Sequence, residues 1–289
     1  MSPRRHGLRD APAVIVGVDG SESNAAAVDY AVLEAVQTNR SLVLLGVLED
    51  PGFRAQARPH PESEREWEVL TRITVAAVRD HPRLRVRRVV DFGKPVDVLL
   101  EHAKIAHSVV VGKRGLGTFG RLMLGSTSTS VAGHAQVPVV VVPTGWRRVA
   151  HQDRRVAVGV ELKDPRSTAL RFAFEEAERR GVGLDVVHAI DVEPALVWEP
   201  VLNAPTYRHL DSRDQTPLEE TVVPLRAEFP SVPARLFDVR GNAASVLLER
   251  SHEAQLLVLG RHHNGAFGLG CTARAVLHYA EIPVAVIPS

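Results

Sequence analysis

The pattern with the clearest chemical meaning is a glycine-rich segment that follows the apolar run HSVVVG. It reads GKRGLGTFGRLMLGSTSTS from Gly112, with Gly115 after two residues, then nine residues, then Gly125 and Ser126. Glycine lets a backbone approach a phosphate closely, and a helix opening at GSTSTS would aim amides, hydroxyls and its positive dipole end at one anion. The spacing therefore predicts a cradle for a diphosphate or triphosphate. The alternative is a flexible glycine-rich surface loop.

Regular elements must position this segment, and short Val/Ile/Leu runs alternate here with longer stretches of helical apolar spacing. Such alternation is typical of βαβ units around a parallel sheet that is buried on both faces. In the first half we expect strands near residues 13–19, 42–48, 85–90, 108–112 and 138–142. We expect helices near 23–39, 62–80, 95–106 and 126–136. Ser23 and Ser126 stand where helix N-caps belong.

The chain of 289 residues also contains an internal repeat. Three blocks align in the same order, namely 14–35 with 156–177, 93–112 with 241–260, and 125–143 with 270–288. The repeat predicts two α/β domains, at residues 1–145 and 154–289, joined by the short polar segment 144–153. We refer to them as the first and second repeats.

The second repeat has the same alternation of elements as the first. Its strands are expected near 155–160, 183–190, 234–238, 255–260 and 284–287. The long connection at residues 191–216 carries three prolines and is predicted to be an irregular loop.

Composition and charge exclude several classes of function. Lys plus Arg total 35 and Asp plus Glu total 34, so no net basic field would hold nucleic acid. The longest apolar runs are too short to span a bilayer, and we expect a cytoplasmic protein without membrane contact. A single cysteine, Cys271, excludes an internal disulfide and every multi-cysteine metal site.

With these motifs, the chain resembles a tandem universal stress protein of the ATP-binding branch. The signature of that branch, G-x2-G-x9-G-[ST], is filled by Gly112, Gly115, Gly125 and Ser126. The opening VGVDGS and the closing VPVVVVP also resemble the family, so the resemblance covers both repeats.

The family resemblance implies a fold, a ligand and an assembly. The fold is a pair of doubly wound, five-stranded parallel-sheet domains of the adenine nucleotide alpha hydrolase-like type, with strand order 3-2-1-4-5. The ligand is ATP, with or without Mg²⁺, lying across the ends of strands 1 and 4. Dimerisation is implied through the last strand, so the strands at 138–142 and 284–287 can pair within one molecule as a pseudo-dimer. A further homodimer stays open.

The resemblance also assigns residues to the nucleoside. Asp19, at the end of the first strand, matches the acid that lies against the ribose and adenosine side, although a turn or N-cap aspartate is the alternative. Gly17 and Val18 line the same strand end. Val47 matches the position whose backbone recognises the adenine edge, but Gly46 stands where the family more often has histidine.

The phosphates are assigned to the glycine-rich segment. Gly112 and Gly115 are expected to flank them, and a run of four residues is expected to hold them through amides and hydroxyls: Gly125, Ser126, Thr127 and Ser128. Lys113 and Arg114 place positive charge near the anion, with solvated loop cations as the alternative.

The corresponding loop in the second repeat has changed. Gly260 is kept, but His263 replaces the second glycine, and ten positions instead of thirteen lead to the closing glycine, Gly270. Glu161 replaces the strand-end aspartate and Cys271 replaces the serine after the closing glycine. We expect the first repeat to bind ATP and the second to bind it weakly or to serve as a structural partner.

These features favour an ATP-binding regulator of the stress response over two alternatives. A slow ATPase is the first alternative, but the chain has neither a Walker A motif nor the SGGxDS loop of adenylating relatives, and no residue is assigned to catalysis. A nucleotide-free interaction scaffold is the second, and the intact loop argues against it. His262 and His263 are interpreted as solvated loop residues, and no metal site is expected.

Overall fold

The computed structural model describes residues 11–21, 24–48, 61–113, 124–147, 153–162, 167–190, 206–209, 217–261 and 268–289. The first repeat contains β1 (Val14–Val18), α1 (Ala25–Gln37), β2 (Leu42–Leu48), α2 (Pro61–Asp80), β3 (Val86–Phe92), α3 (Pro95–Ala103), β4 (Ser108–Gly112), α4 (Ser126–His134) and β5 (Val139–Val142). The second contains β6 (Arg155–Val160), α5 (Thr168–Arg180), β7 (Leu184–Ile190), β8 (Thr206–His209), α6 (Pro217–Glu228), β9 (Ala234–Arg240), α7 (Ala243–Ser251), β10 (Ala254–Arg261), α8 (Cys271–Tyr279) and β11 (Val284–Pro288).

The described strands form one sheet in the order β3-β2-β1-β4-β5-β11-β10-β6-β7-β9-β8. Within the first repeat, all neighbouring strands are parallel and follow the order 3-2-1-4-5. Its five counterparts in the second repeat follow the same order from the other end. The predicted doubly wound architecture is therefore confirmed for both repeats.

The two halves of the sheet join through their final strands. β5 and β11 pair antiparallel, with Val140 opposite Ala285 at the centre. Every residue of β5 is almost fully buried, which explains its unbroken valine sequence, since such a strand is covered on both faces. The pairing expected between the last strands within one molecule is present.

Helices cover both faces of this sheet. The core on one face includes side chains from α1, α2, α5 and α6, and the core on the other includes side chains from α3, α4, α7 and α8. Each core contains residues from both repeats, so burial of apolar surface continues across the junction and stabilises the two repeats together.

Three sequence expectations need correction. Residues 206–209 form β8 within the connection predicted to be irregular, because they pair antiparallel with β9 and cover the outer edge of that strand. The N-cap of α4 is Gly125, so Ser126 is the first helical residue. The N-cap of α1 is Asn24, whereas Ser23 lies outside the described residues. The Asn24 side-chain amide donates to the Gly17 carbonyl at 3.0 Å and fixes the helix to the end of β1.

Candidate functional site

A crevice between β1 and β4 marks the point where the strand order reverses. The two strands pair only as far as Val16 and Val110, although β1 continues to Val18 and β4 to Gly112. Ligands of doubly wound sheets bind at the carboxyl ends of strands at such a switch point. Gly17, Val18 and Gly112 therefore lie where the sequence places the ligand.

The N-terminus of α4 supplies an anion-binding surface beside this crevice. Gly125 has an extended backbone, and no side chain caps the helix. The Thr129 amide makes the first helical bond, to the Gly125 carbonyl at 3.0 Å. The amides of Ser126, Thr127 and Ser128 therefore make no hydrogen bond within the helix. The positive end of the helix dipole lies at the same place and adds to their attraction for an anion.

Two hydrogen bonds fix the start of α4 to the end of β4. The Gly125 amide donates to the Lys113 carbonyl at 2.9 Å and closes the base of the loop. The buried Ser128 hydroxyl donates to the Gly112 carbonyl at 2.6 Å. The Ser128 hydroxyl is thus engaged within the protein, and its backbone amide is the group directed towards an anion.

Asp19 holds the turn that follows β1. Its Oδ1 accepts hydrogen bonds from the Ser21 amide at 3.0 Å and from the Ser21 hydroxyl at 2.7 Å. No described residue donates to Oδ2. The aspartate therefore has the structural role that the sequence offered as an alternative, and it keeps an oxygen for a second role.

The end of β2 presents backbone groups beside Asp19. β2 pairs with β1 only up to Gly46, opposite Val18, but it continues to pair with β3 as far as Leu48. Val47 therefore lies one residue beyond the last β2 residue that pairs with β1. This is the edge at which the sequence places the adenine.

Glu66 of α2 lies over Gly46 and is a residue that the sequence analysis missed. A Cβ atom at position 46 would lie 2.5 Å from Glu66 Oε1 and 2.6 Å from its Cγ, so the absence of a side chain makes this contact possible. Oε1 is buried and has no hydrogen-bond partner among the described residues. Burial, and secondarily the negative charge of Asp19, raises the pKa of Glu66.

Of the two cations predicted near the phosphates, the structure describes Lys113 but not Arg114. The predicted site residue Gly115 also lies outside the described residues. The Lys113 ammonium donates to the Ala280 carbonyl at 2.9 Å, at the end of α8 in the second repeat. Arg261, the counterpart of Lys113, reaches back to the carbonyl of Ala135. Lys113 thus joins the two repeats, a contact that its position in a loop did not indicate.

Among the described residues, the crevice at the corresponding strand ends of the second repeat is shorter. β6 and β10 remain paired up to Gly159 and Leu259, one pair further than β1 and β4. The cavity there measures about 20 Å³, which holds roughly one water molecule. It is lined by Gly159, Glu161, Ser167, Thr168, Gly260, Arg261, Ile287 and Ser289. His262 and His263 lie outside the described residues.

A separate cavity of about 500 Å³ lies between α1 and α2. Its walls are mainly aliphatic side chains, and it reaches Val18 and Ser21 at the end of β1. Its described lining contains neither Gly112 nor the start of α4, so the backbone amides suited to a polyanion are in the crevice and not in this cavity.

The described residues contain no group of three or more His, Cys, Asp or Glu side chains that could hold a metal ion. None of their helices is long and apolar enough to cross a membrane.

The sequence of the chain matches one family of known proteins. A model described as the universal stress protein family matches residues 12–143 and again residues 153–288. A universal stress protein of Mycobacterium tuberculosis (strain ATCC 25618 / H37Rv) is 32% identical over 287 residues, which cover 94% of this chain and 96% of that protein. One from Mycolicibacterium smegmatis is 32% identical over 288 residues, covering 95% and 96%.

Solved structures agree on the fold. The crystal structure of a universal stress protein from Archaeoglobus fulgidus DSM 4304 superposes with a TM-score of 0.71 at 20% identity, and the match covers 97% of each chain.

Proposed function

The chain belongs to the universal stress protein family as a tandem two-domain member, and from that premise we propose that its first repeat binds ATP and acts as a nucleotide-dependent regulator of the stress response. The observation that carries the proposal is the start of α4, where successive amides outside the helical ladder meet the crevice between β1 and β4. A polyphosphate supplies the negative charge that such a helix end stabilises.

In this proposal the phosphates contact the closing half of the glycine-rich segment. The amides of Ser126, Thr127 and Ser128 precede the helical ladder, and the Ser126 hydroxyl is exposed there. Gly125 contributes close backbone approach, because its own amide is bonded to the Lys113 carbonyl. Gly112, Arg114 and Gly115 complete the cradle by analogy with the family signature.

The nucleoside lies over the ends of β1 and β2. Asp19 Oδ2, which the turn does not use, accepts hydrogen bonds from the ribose hydroxyls. The backbone of Val47 contacts the edge of the adenine. Gly17 and Val18 form the floor. If Mg²⁺ accompanies ATP, the phosphate oxygens supply most of its ligands and Asp19 is the candidate protein ligand.

The second repeat serves as a structural partner in this proposal. A cavity of about 20 Å³ is far smaller than the roughly 300 to 1,000 Å³ of typical small-molecule sites. The Thr168 hydroxyl donates to the Pro288 carbonyl at 2.9 Å and fixes the end of β11 over that strand end.

Mass spectrometry of the material released when freshly purified protein is denatured tests this function. ATP in near-stoichiometric amount supports it, whereas the absence of nucleotide, together with failure to bind added ATP, would favour a scaffold. Turnover of the bound ATP, measured as phosphate release, separates a binding protein from a slow ATPase.

A further inference from the structure

A different polar side chain occupies the end of the second strand in each repeat, β2 in the first and β7 in the second. In the second repeat, His188 occupies this position on β7 opposite Val160, as Gly46 does on β2 opposite Val18. His188 Nδ1 lies 2.7 Å from Asp238 Oδ1 on the neighbouring strand, so the polar group there has a protein partner. In the first repeat the space is taken by Glu66 from α2, and no described residue forms a hydrogen bond with its buried Oε1.

A buried carboxylate oxygen without a hydrogen-bond donor carries a desolvation cost. Native proteins pair nearly all such atoms, and an exception needs an explanation such as a missing water, ion or ligand. The neighbouring Asp19 adds negative charge and no donor. The group that completes this place must therefore bring a hydrogen-bond donor of its own.

The distance of Glu66 from the phosphate site indicates which part of a bound nucleotide can contact it. Neighbouring strands are about 4.8 Å apart, so a group above β2 is roughly 10 Å from β4, where the phosphates bind. The base is the part of a nucleotide that extends furthest from the phosphates. Adenine carries an amino group at this end, whereas a 6-oxo purine carries an acceptor oxygen, which a carboxylate repels.

We propose that Glu66 determines base specificity in the first repeat, because its carboxylate accepts a hydrogen bond from the 6-amino group of adenine. This inference rests on the proposed function and adds the residue that distinguishes adenine from 6-oxo purines. The side chain fills the space left by Gly46 and stands beside the Val47 backbone, so both groups meet one edge of the base.

Titration calorimetry of the nucleotide-free full chain with ATP and with ITP tests the inference. ITP replaces the amino donor with an oxygen acceptor. The wild-type chain is expected to bind ATP at least about tenfold more tightly than ITP, and Glu66→Gln to reduce that ratio about tenfold, because the amide can donate to the oxygen. Glu64→Gln, an exposed change on the same helix, is expected to leave the ratio unchanged.

A second variant acts on the same contact without changing the carboxylate. Gly46→Ala places a methyl group against Oε1 and Cγ of Glu66 and displaces that side chain. It is expected to reduce the ATP to ITP ratio as Glu66→Gln does. Circular dichroism of each variant checks that the fold is retained.

Several outcomes would overturn the inference. ATP binding with an unchanged ratio in both variants would refute the role of Glu66 and leave the proposed function intact. An effect that appears only with Mg²⁺ and vanishes in EDTA would make Glu66 a metal ligand, and an equal loss for ATP and ITP would place it against the ribose. No binding of either nucleotide would refute the proposed function as well.

Discussion

At the scale of single residues, Asp19 combines a structural and a proposed binding role. Its Oδ1 holds the turn through Ser21, and this bond explains an aspartate in VDGSES without any ligand. The two roles can be separated, because an amide oxygen can still accept from Ser21 but carries no charge.

Asp19→Asn is therefore expected to keep the fold and to weaken ATP binding about tenfold, since hydrogen bonds to charged groups are stronger than neutral ones. Ser21→Ala is the matched control: it removes one bond of the turn, keeps the carboxylate and should retain ATP affinity. Calorimetric titration of both variants provides the comparison. Equal affinity of Asp19→Asn and wild type would leave Asp19 with the turn alone.

Residue types and spacing predicted the strand-end aspartate and the glycines, but not Glu66 or the direction of Lys113. Glu66 lies in a stretch of α2 where Glu64, Arg65 and Glu68 are exposed, so its sequence context is that of a surface helix. Lys113 reaches the Ala280 carbonyl of the other repeat, 167 positions away in the chain. Both contacts depend on how distant elements pack, which local sequence does not encode.

At the scale of elements, the start of α4 is central to the proposed site, and the start of α8 is its internal control. Both helices begin after an extended glycine without a side-chain cap. Proline is tolerated at the first helical position because the helix does not use that amide.

Ser126→Pro is expected to preserve α4 and to weaken ATP binding by roughly tenfold or more, because it removes an amide and a hydroxyl from the anion site. Cys271→Pro makes the same change at α8 and should leave ATP affinity unaltered. The measurements are titration of each variant and its far-ultraviolet circular dichroism. A larger effect of Cys271→Pro would move the site to the second repeat.

Elements whose periodicity is strong were predicted well, and those that depend on tertiary pairing were not. β5 is a run of four valines and was expected at 138–142, close to its observed bounds. β8 was missed because only its pairing with β9 makes it a strand, against a local sequence rich in proline. The N-cap of α4 was predicted one residue too late, at Ser126 instead of Gly125, since glycine and serine both suit a helix N-terminus.

At the scale of the whole molecule, a buried charge network joins α1 of the first repeat to α5 of the second. Arg180 donates to the Tyr30 hydroxyl at 2.9 Å and to Glu176 at 3.0 Å, and it lies 3.8 Å from Glu34. Both carboxylates are almost completely buried. The arginine is contributed by the second repeat only, because Thr38 stands at the equivalent position of the first.

Arg180→Ala is expected to lower the free energy of unfolding by about 3 kcal/mol, since it leaves buried carboxylates with Arg179 as their remaining cation. Arg171→Ala on the same helix breaks an exposed pair with Glu228 and should have a much smaller effect. Urea denaturation of both variants tests this difference. Equal stabilities would show that the network contributes nothing to the union of the repeats.

The repeat in the sequence predicted two equivalent folds and one intact loop, and the fold prediction is confirmed. The joint sheet follows from the valine-rich last strands, whereas the charge network and the crossing of Lys113 and Arg261 follow from the mutual orientation of the repeats. Sequence differences at the second loop predict unequal sites, and the longer pairing of β6 with β10 is a physical reason to expect that inequality.

The number of ATP sites per chain distinguishes one nucleotide-binding repeat from two. Calorimetric titration of the nucleotide-free full chain is expected to give one tight site, which Ser126→Pro weakens and Cys271→Pro leaves intact. Two equivalent tight sites per chain, or a single site that responds only to Cys271→Pro, would contradict the assignment of ATP to the first repeat.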